Sequence, residues 1–243
     1  MAYEVFSSSI GACKTVDCSV DFSNVGIYNT ITSQYKSYSS LRIRLIDTPQ
    51  DKAYIACRIE PPTSTAYAIV FADDKPTNNT SSDGFCYANF SNFAGALYSG
   101  LPDDLKSVMS NGPGAISIIL AGTEWAGSGI FYNYFWVHGL ADMLSQSEID
   151  ALDNSSNLIN LTTSQVPSTA QMEFFANGNG KAVYRQYRNG STGSGGVRFA
   201  LRDYSINSPY RLRASIDANG KASGIEENSL QYPCDFAPCF FIG

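Results

Sequence analysis

An all-β, mainly antiparallel fold, arranged as a sandwich or meander with two short helices, is what this sequence predicts. Three observations carry that expectation. Segments of strand length with period-two alternation recur along the chain, and Gly, Pro, Asn and Asp clusters separate them. Charged residues make up only 16% of the 243 residues, while Ser, Thr, Asn, Gly and Tyr abound. Such a composition suits pleated, turn-rich structure better than helices.

The elements follow in order. Residues 1–35 mix Ser, Tyr and Val without helical period. Leu41 to Asp47 alternates Leu41, Ile43 and Leu45 against Arg42 and Arg44, which predicts a half-buried strand closed by Thr48-Pro49. Lys52 to Glu60 reads as a second strand, stopped by Pro61-Pro62, and Thr65 to Ala72 as a third; the three fit an antiparallel meander. A polar loop spans 73–84. Leu101 to Met109 predicts a helix near 102–109: Pro102 suits its first position, Asp103 and Asp104 face its positive end, and Gly112-Pro113 stops it.

Residues 115–140 hold the longest apolar run, both tryptophans and the single histidine, His138. Ala115 to Leu120 and Ile130 to Val137 read as two strands around a glycine-rich loop. In the second, Ile130, Tyr132, Tyr134 and Trp136 would share one face. Both its faces are apolar, so cover is needed on each, from a second layer or another subunit. Ser145-Gln146-Ser147-Glu148 is a capping box and starts a helix near 146–153.

The last third reads as strands at Met172–Ala176, Gly180–Arg188, Val197–Tyr204 and Tyr210–Ile216, with Asn177-Gly178 and Asn219-Gly220 as hairpin turns. The tail from Gln231 is apolar and Pro-rich, so it is expected to dock on the body or on a neighbour. The style of the sequence changes near residue 155. Two modules are therefore expected, 1–155 with a central hairpin at 115–138, and 156–243.

Charge sharpens the division. Residues 181–221 hold eight basic and two acidic side chains, a net +6; the whole chain carries −6, so the remainder carries −12. Opposite signs let modules attract within a chain or between copies, although solvated strand faces would give the same count. The acidic total argues against nucleic acid as a partner. The first residues lack the basic start, apolar run and cleavage site of a signal peptide, and no stretch of about 18 apolar residues is present, so no membrane span is expected. The protein is therefore expected to be made in a cytoplasm and to stay there, or to leave by lysis or on a particle.

Six cysteines occur, four of them in two C-x4-C pairs, Cys13/Cys18 and Cys234/Cys239. Free thiols, disulfides and a zinc site all fit, but zinc prefers closer knuckles and more histidine. Nucleophilic catalysis needs a base beside the nucleophile. A Ser128, His138 and Asp142 set can be written, yet Ser128 lacks the nucleophile-elbow context. Glu124 beside Trp125 is the best glycosidase carboxylate. No cofactor or metal motif stands out, and the expectation is no enzyme. Tyr132, Tyr134, Trp136 and Trp125, with Arg185 and Arg188, are the candidates for an interface or a glycan platform, since aromatic rings anchor both.

Asn157–Thr162, Ala182–Gly190 with its Tyr184-Arg185-Gln186-Tyr187 core, and Val197–Arg202 together resemble the knob module of bacteriophage and pyocin tail fibres. Phe199 stands where that family usually carries tryptophan. The resemblance implies a virion structural protein — tail fibre, head fibre or capsid decoration — that assembles as a homo-oligomer, a trimer first, with other virion proteins and attaches to a host surface glycan. Such subunits bury apolar strips between symmetric copies, here the second central strand and the Phe240-Phe241-Ile242-Gly243 tail. A soluble carbohydrate-binding lectin is the alternative, and a β-rich glycan hydrolase the second alternative.

Overall fold

A computed structural model describes residues 9–22, 37–48, 55–62, 94–110, 131–132, 134–152, 158–159, 171–178, 180–181, 183–186, 192–197, 204–205, 213–216, 222–226 and 237–243. Their largest unit is a seven-stranded antiparallel sheet. It is built from β1 (Cys13–Asp21), β2 (Ser37–Asp47), β3 (Ile55–Glu60), β4 (Met109–Ser110), β5 (Phe131–Tyr132), β6 (Phe135–Val137) and β13 (Pro238–Ile242). The order is β1-β2-β3-β13-β6-β5, with β4 also on β13.

The expected strands at 41–47 and 52–60 are present as β2 and β3, and they pair with each other. The second edge of β3 is taken by β13, not by the next stretch of chain; 65–72 lies outside the described residues. The apolar tail thus docks on the body as its middle strand, and all five of its residues are buried. It is hidden inside one chain, which removes it as a strip between copies. β1, read only as irregular sequence, alternates exposed residues with buried Val16 and Val20 against β2.

Register sorts the side chains. On one face lie Leu41, Ile43 and Leu45 of β2, Cys57 and Ile59 of β3, Phe240 of β13 and Phe135 of β6, all fully buried or nearly so. Each such side chain stabilises the fold by about 1.5–3 kcal/mol relative to exposure. A bulge between Leu45 and Asp47 lets Ile46 be buried as well. The opposite face carries Arg42, Arg44, Arg58, Glu60, Trp136, Cys239 and Phe241. The expectation of a solvent-facing arginine side on β2 is corrected here: Arg42 is 8% exposed, and the helix at 173–176 packs on β2.

The long strand expected over 130–137 is two short ones. Phe131 registers with Trp136 and Tyr132 with Phe135, so the two short strands pair antiparallel with each other. Tyr132 and Trp136 therefore belong to different strands. Residues 111–130 lie outside the described residues, and with them the strand at 115–120.

Among the described residues are five short helical segments: α1 (94–100), α2 (Asp103–Lys106), α3 (Leu140–Met143), α4 (Gln146–Asp150) and α5 (Glu173–Ala176). The expected helices near 102–109 and 146–153 correspond to α2 and α4, each shorter than expected. In α4 both halves of the capping box form: Ser145 Oγ accepts from Glu148 N, and Glu148 accepts from Ser145 N. α5 overturns the strand expected at Met172–Ala176. Asn177-Gly178, taken for a hairpin turn, is its C-terminal stop: Gly178 has φ 76° and its N–H bonds Phe175 O.

Three two-stranded sheets complete the described chain. They pair β7 (Leu158–Ile159) with β10 (Tyr204–Ser205), β8 (Val183–Gln186) with β9 (Thr192–Val197), and β11 (Arg213–Ile216) with β12 (Ala222–Glu226). Asn219-Gly220, expected as a hairpin turn, lies outside the described residues. Among the described residues no helix is long and apolar enough to cross a membrane.

Candidate functional site: two polar clusters under helix α5

The first cluster follows from register. Pairing sets Arg42 opposite Glu60 and Arg44 opposite Arg58. Two guanidiniums face each other across the ladder, an unfavourable placement unless a carboxylate lies between them. Glu60 supplies it by diagonal contact. Arg44 donates to both its oxygens at 2.6 and 2.9 Å, Arg58 Nη2 to Oε1 at 3.1 Å, and Arg42 Nη2 lies 3.2 Å from Oε2. Backbone carbonyls take further N–H groups: Pro61 O from Arg42 at 2.7 Å, Gly11 O from Arg44 at 2.7 Å and Gly180 O from Arg58 at 3.4 Å. Phe174 lies under Arg44 and Arg58, and Phe175 under Arg58, at 5.3–5.4 Å. Glu60 and Arg58 are fully buried, and such charges persist only when paired in this way.

The second cluster sits on the same face around His138. Cys239 Sγ is 3.1 Å from His138 Nε2, and His138 Nδ1 is 3.8 Å from Asp142 Oδ2. Asp142 is fixed by the start of α3, where Gly139 N–H bonds Oδ2 at 2.9 Å. The imidazole stands edge-on to Trp136 at 5.5 Å and to Phe175 at 4.9 Å. All three polar side chains are fully buried. Cys239 Sγ also lies 3.8 Å from His138 Nδ1 and 3.5 Å from Ala237 O. A thiol, an imidazole and a carboxylate thus lie side by side, the three group types of a nucleophile, its base and an orienting acid. Trp136 Nε1–H is buried with no acceptor among the described residues. Among those residues no group of three His, Cys, Asp or Glu is placed to hold a metal ion.

α5 ties the clusters together. Met172 N–H bonds Asp142 O at 2.8 Å, Gln171 Nε2 bonds Met143 O at 2.8 Å, and Lys181 pairs with Glu148 at 2.7 Å. Lys181 and the cap hold the Glu148 carboxyl down to about 2. Asp47, beside α5, shifts the other way: burial raises it first, and the Glu173 and Asp142 charges add to that, against N–H bonds from Thr48 and Glu173.

No family model, curated protein or solved structure matches this chain.

The sequence-derived candidates are dispersed. Trp136 is fully buried against Phe241, at 5.2 Å, and His138. Tyr134 is half-buried and stacked on Tyr98 of α1 at 5.1 Å, with Lys106 Nζ 5.6 Å from the Tyr98 ring. Tyr132 lies in β5 and Arg185 in β8. Trp125, Arg188, Glu124 and Ser128 lie outside the described residues. His138 Nδ1 and Asp142 Oδ2, two members of a set discounted on sequence grounds, lie 3.8 Å apart. The thiol beside them, Cys239, was missed, as was the Arg42/Arg44/Arg58/Glu60 cluster. For the latter a signal existed: Arg-x-Arg and Arg-x-Glu each place two charges on one strand face. Cys13 and Cys18 are free thiols, and their odd spacing on β1 keeps them apart.

Proposed function

We propose that this chain is a bacteriophage virion structural subunit, acting by assembly and by attachment to a host surface. The single observation behind this reading is how the described charges are used. Arg42, Arg44, Arg58 and Glu60 are consumed in cross-strand pairing inside the sheet, which stiffens a β body instead of lining a cleft. The knob-like sequence at 157–203 and a trimeric state belong to the same reading. Light scattering after size exclusion tests it, together with mass spectrometry of purified particles. A closed oligomer and its presence in particles are expected; a monomer absent from particles overturns the reading.

A carbohydrate-binding role is the second reading, favoured by one observation. The stacked Tyr98–Tyr134 pair is half-buried, with Lys106 beside it, and exposed ring faces of this kind accept sugars. Glycan-array binding that disappears in Tyr134→Ala, with unfolding unchanged, would support it. A silent array rejects it.

A further inference from the structure

We propose that Cys239, His138 and Asp142 form an acyl-transfer site, with Cys239 the nucleophile, for a carboxylic ester or amide. This goes beyond the assembly role and does not rest on it. Two independent observations carry the idea. The first is the contact of the three groups: Sγ lies 3.1 Å from Nε2 and 3.8 Å from Nδ1, and Asp142 Oδ2 lies 3.8 Å from Nδ1, with Trp136 and Phe175 edge-on to the ring. The second is the Trp136 indole N–H, buried without an acceptor. Trp136 pairs directly with Cys239 across β6 and β13, so both side chains rise from one face of the sheet. An orphan buried donor carries an unrecovered desolvation penalty, which a carbonyl oxygen entering beside the thiol would relieve.

The step balances without a further reactant. Sγ attacks the carbonyl carbon as His138 Nε2 takes the thiol proton. The C–O or C–N bond breaks, and the leaving alcohol or amine takes that proton from Nε2. Water then adds to the thioester, Nε2 accepting its proton; the C–S bond breaks, and the imidazolium returns the proton to sulfur. Cys239 and His138 are the catalytic residues. Asp142 positions the ring, and Phe175 of α5 covers it, so entry requires that ring to move.

The full chain is treated with p-nitrophenyl acetate and acetyl adducts are mapped by peptide mass spectrometry. Cys57 is the internal control, because it is fully buried in the same sheet and burial alone raises its pKa. Acetylation of Cys239 is expected to outpace Cys57 by about tenfold or more, and His138→Asn to slow it by about a hundredfold, the scale of a lost general base. Phe175→Ala, which trims the cover, should accelerate it while Cys57 stays protected. Equal reactivity of Cys239 and Cys57 in the unaltered chain overturns the proposal. So does an unchanged Cys239 rate in a His138→Asn chain whose Cys57 remains protected.

Discussion

At the residue scale, Glu60 is the side chain on which most depends. Replacing it with Gln leaves Arg42, Arg44 and Arg58 converging without their carboxylate. Removing one partner of a buried ion pair costs about 3–5 kcal/mol. Chemical denaturation of Glu60→Gln should show a loss of that size; a change under about 1 kcal/mol would mean that the charges are solvated. Two other carboxylates give opposite pH signatures. Glu148, held down to about 2, contributes stability that is present above its unfolded value and lost as pH falls through its folded one. Asp47 is raised by burial, so its contribution is full at low pH and is lost as pH rises through its folded value. Glu148 is exposed, so its cap and its bridge to Lys181 together are worth about 1 kcal/mol. Glu148→Gln should flatten the acid limb of the stability profile, and Asp47→Asn should flatten the decline with rising pH. Denaturation midpoints measured across acid pH separate the two.

At the scale of elements, α5 shows how local signals competed. Met-Glu-Phe-Phe-Ala fits either period over five residues, and its two phenylalanines are both buried, so no amphipathic stripe distinguishes helix from strand. What decides is tertiary: the Arg58 and Arg44 guanidiniums under the rings, and a glycine that must stay small. A Cβ on Gly180 would collide with Phe174 Cε1 and lie 2.8 Å from Arg58 Nη2, at φ 60°. Gly178, at φ 76°, faces open space. Gly178→Ala should thus cost about 1 kcal/mol, the left-handed backbone penalty alone, and Gly180→Ala more. Thermal melts of the two variants rank them; equal losses would show that Phe174 is not seated as described. Strong local chemistry was legible: the capping box at Ser145, the alternation of β2, and Pro102 before α2. The division of 130–137 into β5 and β6 was not, because that run holds no glycine or proline to mark it. Nor was the contact of His138 with Cys239, which are 101 residues apart in the chain.

At the scale of the whole molecule, β13 makes the sheet a late and cooperative structure. It pairs β3 on one edge and β4 and β6 on the other, so it joins strands from distant parts of the chain. Such non-local closure must be completed before its contacts repay the loop entropy. Deleting residues 238–243 strips the ladder from both neighbours and removes Phe240 and Phe241, worth about 1.5–3 kcal/mol each by burial alone. Against a net stability of about 5–15 kcal/mol, those losses plus the broken ladder are enough to unfold the sheet. The opened edges of β3 and β6 would also invite pairing between chains. The shortened chain should therefore lose its near-ultraviolet dichroism and cooperative transition, and should aggregate. Phe240→Leu keeps the backbone ladder and most of the volume, so it should unfold cooperatively with a loss under about 1.5 kcal/mol. A shortened chain that still melted in one sharp transition would show that the sheet closes without its middle strand.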